Sequence, residues 1–297
     1  MSEVGIAPAM TTTKPELGEF RRLVTVMSRR WVVVGGLVII VALIMVAVFA
    51  PFIAPWDPYE QNLKGMLAQP SRAHLLGTDE LGRDLLSRVV YGARISLLVG
   101  VVAVSIAGAL GMGLGLFAGY FSGITNTLIM RFTDALLSFP PLVLMLAITA
   151  VSGGGLFSVL LALGISMMPT YCRLMYGQVA TLKANEYVTA ARAMGARDSR
   201  IMSRHLLPNA FPPLLVLLSI NLGTAIMMEA SLSFLGIGIL PPTATWGSMV
   251  SSGYRFLLSN PLMSFAPGCA ILLVVLSFNM VGDGLRDALD PRLRGIV

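Results

Sequence analysis

The residues whose types and spacing can do chemistry gather in one polar stretch, 183–209 (KANEYVTAARAMGARDSRIMSRHLLPN). Tyr187, Ala190, Ala191 and Met194 recur at i, i+3, i+4 and i+7, which draws one apolar face on a short helix. Gly195 follows, where a helix end favours a left-handed residue. Glu186 stands at the start, and Arg192, Arg197, Arg200 and Arg204 surround the turn. Such a segment recognises; it does not catalyse. An amphipathic helix too short to span a bilayer lies on a membrane or docks into a partner's groove, and the residues leave both open.

Catalytic patterns are absent elsewhere. Lys14, Lys64 and Lys183 lack the glycines of a phosphate-cradling loop, so the chain does not bind ATP in that way. His74 and His205 are each followed by Leu, which removes the zinc-protease pattern, and no nucleophile elbow occurs. Cys172 and Cys269 sit in apolar runs as small hydrophobes rather than as a disulfide or zinc framework. Three ionisable residues fall in apolar segments: Asp134, Arg173 and Glu229. Each is expected near a span end, where snorkelling accounts for Arg173. Glu229, near the outer end of the fifth span, is the functional candidate.

The elements that position these residues are membrane helices. Hydrophobic residues make up 56% of the 297 and charged ones 12%, against about 25% charged in a soluble domain. The net charge of +6 fits loops held against anionic lipid, and no basic stripe on a soluble domain suggests nucleic acid. About 20 apolar residues cross a bilayer. That length is met by 31–54, and further candidates lie at 95–120, 135–152, 156–176, 209–230 and 263–282. With six spans, Lys64, Arg72, Arg83, Arg88, Arg94 and Arg255 fall on one side. The other 15 of the 21 Lys and Arg fall on the side of both termini, which makes that side cytoplasmic.

Ala103, Ala107, Gly111, Gly115 and Gly119 recur every four residues, and Gly123 continues the series. Such a stripe lets another helix approach closely, within this subunit or in a partner. Pro140, Pro141, Pro169, Pro212 and Pro213 interrupt spans as kinks or hinges.

Thr189-Ala190-Ala191, Gly195 and Leu207-Pro208 resemble the EAA loop of binding-protein-dependent ABC importer permeases. That pattern is Glu-Ala-Ala, three residues, Gly, nine residues, Ile, any residue, Leu-Pro. Thr189 replaces the Glu, with Glu186 three residues earlier, and His205 stands at the Ile position. Four more segments resemble the shorter, C-type membrane subunit of the dipeptide, oligopeptide and nickel permease family: 49–62 (FAPFIAPWDPYEQN), 75–97 (LLGTDELGRDLLSRVVYGARISL), 231–250 (SLSFLGIGILPPTATWGSMV) and 278–295 (FNMVGDGLRDALDPRLRG). Ala244-Thr245 stands where that family often has Pro-Glu before Trp-Gly.

These segments also have readings of their own. Asp79, Glu80, Arg83 and Asp84 make a charged turn, either solvated or in contact with other subunits. Trp246, after Pro241-Pro242, suits a membrane interface better than substrate stacking. Asp283, Arg286 and Asp287 are spaced to pair along a helix, and with Asp290 they end the last span.

The resemblance implies an all-α integral membrane protein with six transmembrane helices and a cytoplasmic coupling helix, the type I ABC importer permease fold. It implies a cytoplasmic segment 1–30, a first helix and extracytoplasmic loop 31–94, a five-helix core 95–284 with coupling loop 178–208, and a cytoplasmic tail 285–297. The implied protein sits in the bacterial cytoplasmic membrane. It pairs with a homologous second permease subunit, two ATPase subunits that hold ATP and magnesium, and an extracytoplasmic substrate-binding protein. It carries no cofactor or catalytic site itself. It moves di- or oligopeptides by alternating access, or by the same machinery nickel chelates or another small solute. Glu186, Tyr187, Ala190, Ala191, Met194, Gly195, Arg197, Arg200, Leu207 and Pro208 would couple to the ATPase, and Ala107, Gly111, Gly115 and Gly119 would pack helices. A self-sufficient secondary transporter would need mid-membrane coupling-ion carboxylates, and a membrane enzyme would need catalytic motifs; neither is present in the sequence.

Overall fold

The computed structural model describes residues 27–28 and 30–289. Lys14, Arg21, Arg22, Arg29, Asp290, Arg292 and Arg294, which enter the charge asymmetry and the tail, lie outside the described residues. Within them the fold is helical, with only an isolated bridge between Thr78 and Asp84. In hydrocarbon every backbone N–H and C=O needs an internal partner, and a helix supplies one to each. The main helices are α1 (Trp31–Val48), α2 (Leu85–Tyr120), α3 (Ile124–Leu137), α4 (Pro141–Ser152), α5 (Gly155–Lys183), α6 (Glu186–Ala193), α7 (Leu207–Phe234), α8 (Trp246–Tyr254) and α9 (Leu262–Leu289).

Several helices outrun the apolar lengths in the sequence. α2 begins at Leu85, ten residues before the expected span, because Asp84 caps it by accepting from the Ser87 N–H at 2.8 Å. α5 continues to Lys183, past the expected end at 176. The fifth span is entered from Asp198, and a π-helical stretch at Ile201–Leu206 leads into α7. Pro208 has no N–H to give to the preceding turn, and the wider π turn accommodates its ring. The expected third span, 135–152, is two limbs, α3 and α4, bent by 94° at Ser138–Pro140. Apolarity marks the length that meets lipid, whereas a helix persists wherever packing and caps support it.

Among the described residues five helices are long and apolar enough to cross a membrane, or six spans if the bent pair is one. Contacts between helix ends decide between these. Arg30 pairs with Asp287, and Gly284 abuts Val33, so the start of α1 and the end of α9 share a face. The Lys183 ammonium donates to the Tyr120 carbonyl, so the ends of α2 and α5 share a face as well. The chain must then cross between Tyr120 and Gly155, and the bent pair makes that crossing. Asp287 makes its pair across two helices, with Arg30 at the start of α1.

The stripe on α2 faces α5. A β-carbon at Gly111 would lie 2.5 Å from the Met168 carbonyl oxygen, at Gly115 2.4 Å from that of Cys172, and at Gly119 2.7 Å from the Val179 Cβ. Ala107 is fully buried in the same core with Met167 and Tyr171. Lipid solvates apolar side chains as well as protein does, so the gain of this contact is dispersion and requires close approach.

The loops at the end of the bundle away from Arg30 and Asp287 fold into a collar, and here two expectations are corrected. The GTDELGRD turn is not solvated: Asp79 is buried, accepts from Arg83 Nε at 2.7 Å and lies 3.4 Å from Arg88 Nε. Arg88 Nη1 donates to the Pro58 carbonyl at 3.0 Å, and Asn260 Nδ2 reaches the Thr78 carbonyl at 3.4 Å. Trp246 is no interfacial anchor. It is 1% exposed, its indole N–H donates to the Val89 carbonyl at 2.9 Å, and its ring fills the space left by Gly92.

Candidate functional site

The polar stretch after α5 folds as the short helix α6, a turn, and the run into α7. Gly195 ends α6 at φ +79°. Its N–H donates to the Arg192 carbonyl at 3.0 Å, and the Ala196 N–H reaches back to the Ala191 carbonyl at 3.1 Å. These two bonds satisfy carbonyls that a helix end otherwise leaves orphaned. A β-carbon at Gly195 would meet nothing within 4 Å, so the requirement for glycine is conformational and not steric crowding.

The single apolar face expected for α6 is split in two. Ala191 is 3% exposed, and it turns inward with the buried Val188. Val188 joins Ile201, Met202, Leu206 and Tyr120 in one core. Tyr187, Ala190 and Met194 point the other way, and Met194 is 82% exposed. The inner side of this helix is therefore occupied by its own chain, and the outer strip is bare. Glu186, Arg197 and Arg200 are exposed around that strip, Leu207 is half-buried, and Pro208 is exposed at the start of α7. His205 is half-buried on the π turn.

Tyr120 ties the segment to the bundle, and the sequence reading missed it. Its hydroxyl donates to Asp198 Oδ1 at 2.5 Å and accepts from Arg192 Nη2 at 3.4 Å. The Lys183 ammonium lies 5.5 Å and the Arg192 guanidinium 5.9 Å from the ring centroid. One aromatic at the C-terminal end of α2 thus collects the end of α5, the last turn of α6 and the start of the run into α7. An aromatic closing an apolar span was the available signal; its three partners lie 63 to 78 residues away.

Glu229 is buried near the C-terminal end of α7, and its Oε1 accepts from the Ser233 hydroxyl at 2.7 Å. Among the described residues no group of three or more His, Cys, Asp or Glu could hold a metal ion.

This bundle, with its long second and fifth helices and bent third span, is the type I ABC importer permease fold. A chain of the MetNI methionine ABC transporter in inward-facing conformations superposes with a TM-score of 0.56 at 19% identity, covering 69% of this chain and 98% of that one. The chain belongs to the binding-protein-dependent transport system inner membrane component family, which matches residues 111–295. Residues 20–70 match the N-terminal transmembrane domain of oligopeptide transport permease C. The dipeptide transport system permease protein DppC of Alkalihalophilus pseudofirmus is 42% identical over 96% of this chain and 92% of its own. The di/tripeptide transport system permease protein DppC of Pseudomonas aeruginosa is 44% identical over 88% of each chain. The glutathione transport system permease protein GsiD of Pectobacterium atrosepticum is 40% identical over 90% of this chain and 89% of its own. The chain is an integral, multi-pass inner membrane permease component.

Proposed function

We propose that this chain is the C-type membrane subunit of an ATP-driven importer of short peptides, and that α6 is its coupling helix. The observation that carries the coupling role is the bare strip of Tyr187, Ala190 and Met194 on a helix whose other side is locked to the bundle. An exposed apolar strip ringed by charge fits a groove in a partner protein. Its partners are a homologous second permease subunit, two ATPase subunits that hold ATP and magnesium, and an extracytoplasmic binding protein. This chain itself holds no cofactor, and both termini are cytoplasmic. Peptide cargo is supported by the names of the relatives, which specify dipeptides, di/tripeptides and glutathione, itself a tripeptide.

In this reading ATP binding closes the ATPase pair and displaces α6. Val188 passes the displacement to the Ile201–Leu206 stretch, and Arg192 passes it through Tyr120 to α2. The two permease subunits then rock between outward and inward access. The test is the double variant Tyr187→Asp, Met194→Asp in the assembled complex. It should retain the second permease subunit and lose the ATPase subunits on co-purification. Retention of both, with full ATP-dependent dipeptide uptake into proteoliposomes, overturns the coupling role. A wild-type complex that hydrolyses ATP with loaded binding protein but imports no short peptide overturns the cargo.

A further inference from the structure

We propose that the cavity where the chain leaving α1 meets the start of α2 binds the headgroup of a zwitterionic phospholipid, a phosphoethanolamine carried on two acyl chains. The cavity has a volume of about 510 Å³, inside the range of about 300–1,000 Å³ that small ligands occupy. Trp56, Tyr59 and Tyr91 supply its rings, and Asp57 is the one charged residue in its lining.

Two separate apolar lengths set this cavity at a membrane boundary. Arg30 and Asp57 bracket 26 residues without a charge, and about 20 suffice to cross the hydrocarbon. On α2 no charged residue follows Arg94 until Arg131, well past the end of the helix. Asp57 and Arg94 thus each stand where a hydrocarbon run stops, and the fold brings the two stops together. Tyr59 lies edge-on to Tyr91 with ring centroids 6.5 Å apart, and the Arg94 guanidinium sits 5.9 Å from the Tyr91 centroid. Tryptophan and tyrosine, with an apolar body and a polar tip, favour that level.

Asp57 and Arg94 are exposed and stand outside the buried charge network of the collar. Among the described residues neither has an ion-pair partner. Asp57 Oδ1 accepts from the Tyr59 N–H at 2.7 Å, which leaves Oδ2 open. An acid and a base, both unpaired along one aromatic wall, match a ligand that carries an ammonium and a phosphate. The ammonium takes Asp57 and the ring of Tyr59, and the phosphate takes the fork of Arg94.

The surface beyond the rim decides for a lipid over a free zwitterion. On the α1 side Phe49, Phe52 and Ile53 are exposed, and on α2 Leu98 and Val101 are exposed beyond Arg94. Two acyl chains would lie along these residues, whereas a soluble zwitterion has nothing to cover them. The wall is also set in advance. The Trp56 N–H donates to Ser87 Oγ at 3.1 Å, its indole N–H to the Ala73 carbonyl at 2.9 Å, and the Pro58 carbonyl accepts from Arg88 Nη1 at 3.0 Å. Binding then spends little on ordering the site.

The test uses the complete complex in detergent, titrated with phosphatidylethanolamine or phosphatidylglycerol of the same acyl chains and followed by native mass spectrometry. For its tightest lipid the wild type should prefer phosphatidylethanolamine about tenfold or more, the size of a charged hydrogen bond that phosphatidylglycerol lacks. Asp57→Asn should abolish the preference, and Arg94→Gln should weaken both lipids. Tyr59→Ala should weaken phosphatidylethanolamine about two- to fivefold. The lipid-free thermal midpoint should stay at the wild-type value in Asp57→Asn and Arg94→Gln. Equal affinity of the wild type for the two lipids, or a preference that survives Asp57→Asn, overturns the proposal. Displacement of the lipid by free O-phosphoethanolamine would make the site one for a soluble zwitterion. An Asp57→Asn complex that keeps its lipid preference but no longer binds loaded binding protein would make it a protein contact. Either result overturns the lipid assignment.

Discussion

The collar and the segment around α6, at opposite ends of the bundle, treat their difficult residues in opposite ways. In the collar, charged residues are buried and satisfied within the chain: Asp79 holds Arg83 and Arg88, and Asp84 holds His74 and the start of α2. Around α6, apolar residues that could have been buried are left open: Tyr187, Ala190 and Met194. A charge network completed internally gains nothing from a partner, whereas a bare apolar strip gains by being covered. The difference fits the proposal that other subunits are met at the α6 end, and it makes the collar a brace where α2, α8 and α9 meet at the opposite end.

The collar gives the largest effect. Asp79→Ala leaves two buried guanidinium groups without their carboxylate, a change that costs about 3–5 kcal/mol. The yield of folded subunit and the thermal midpoint of the detergent-solubilised complex should both fall sharply. Glu80→Ala, one residue along and half-buried, should shift neither by much. Equal effects from the two would show that the collar is not held by its buried charges.

Next, the two sides of α6 can be set against each other. Ala191→Asp places a carboxyl against the chain's own core and should cost about 1–3 kcal/mol of subunit stability, read as lowered yield before any partner is tested. Ala190→Asp, on the exposed side, should leave yield and the second permease subunit in place while ATPase subunits are lost from the complex. If the two variants exchange phenotypes, the division of the helix into an inner and an outer side is wrong.

That division was beyond reach in the sequence. The spacing of Tyr187, Ala190, Ala191 and Met194, and the glycine after them, are local, so helix and turn were legible. Which of four apolar residues faces home depends on where Ile201 and Leu206 pack, which is tertiary. The same holds for the collar: Asp79 to Arg83 looked like a wet turn because Arg88, Pro58 and Asn260 close over it from other segments. The six crossings were legible as apolar lengths, but the broken third was legible only as Pro140-Pro141, not as an angle. Arg173 sits where the apolar residues stop, and the helix runs on ten residues beyond it to Lys183.

A smaller effect is expected from Gly195→Val. Forcing a β-branched residue to φ +79° costs about 1–2 kcal/mol, with no clash to add. The subunit should fold and keep its membrane partner, while stimulated ATP hydrolysis and uptake come apart. Gly195→Asn, which tolerates the left-handed region better, should recover most of the coupling. If Asn is no better than Val, the backbone is not what glycine supplies there.

The smallest change tests the link between the two regions. Tyr120→Phe keeps the ring under Lys183 and Arg192 and removes only the hydroxyl that joins Asp198 to Arg192. A hydrogen bond of this kind contributes about 0.5–1.5 kcal/mol net, somewhat more when a partner is charged, so yield should stay close to wild type and all subunits should co-purify. The effect belongs in transmission: loaded binding protein should stimulate ATP hydrolysis less, by a factor of about two to ten, with basal hydrolysis unchanged. Tyr120→Ala removes the ring as well and should add a loss of stability, because Tyr120 is part of the same core as Val188 and Leu206. The contrast between the two variants separates packing from transmission. A Tyr120→Phe complex with full stimulation would mean that α6 reaches α2 through the apolar core alone and that the hydroxyl only ends a helix.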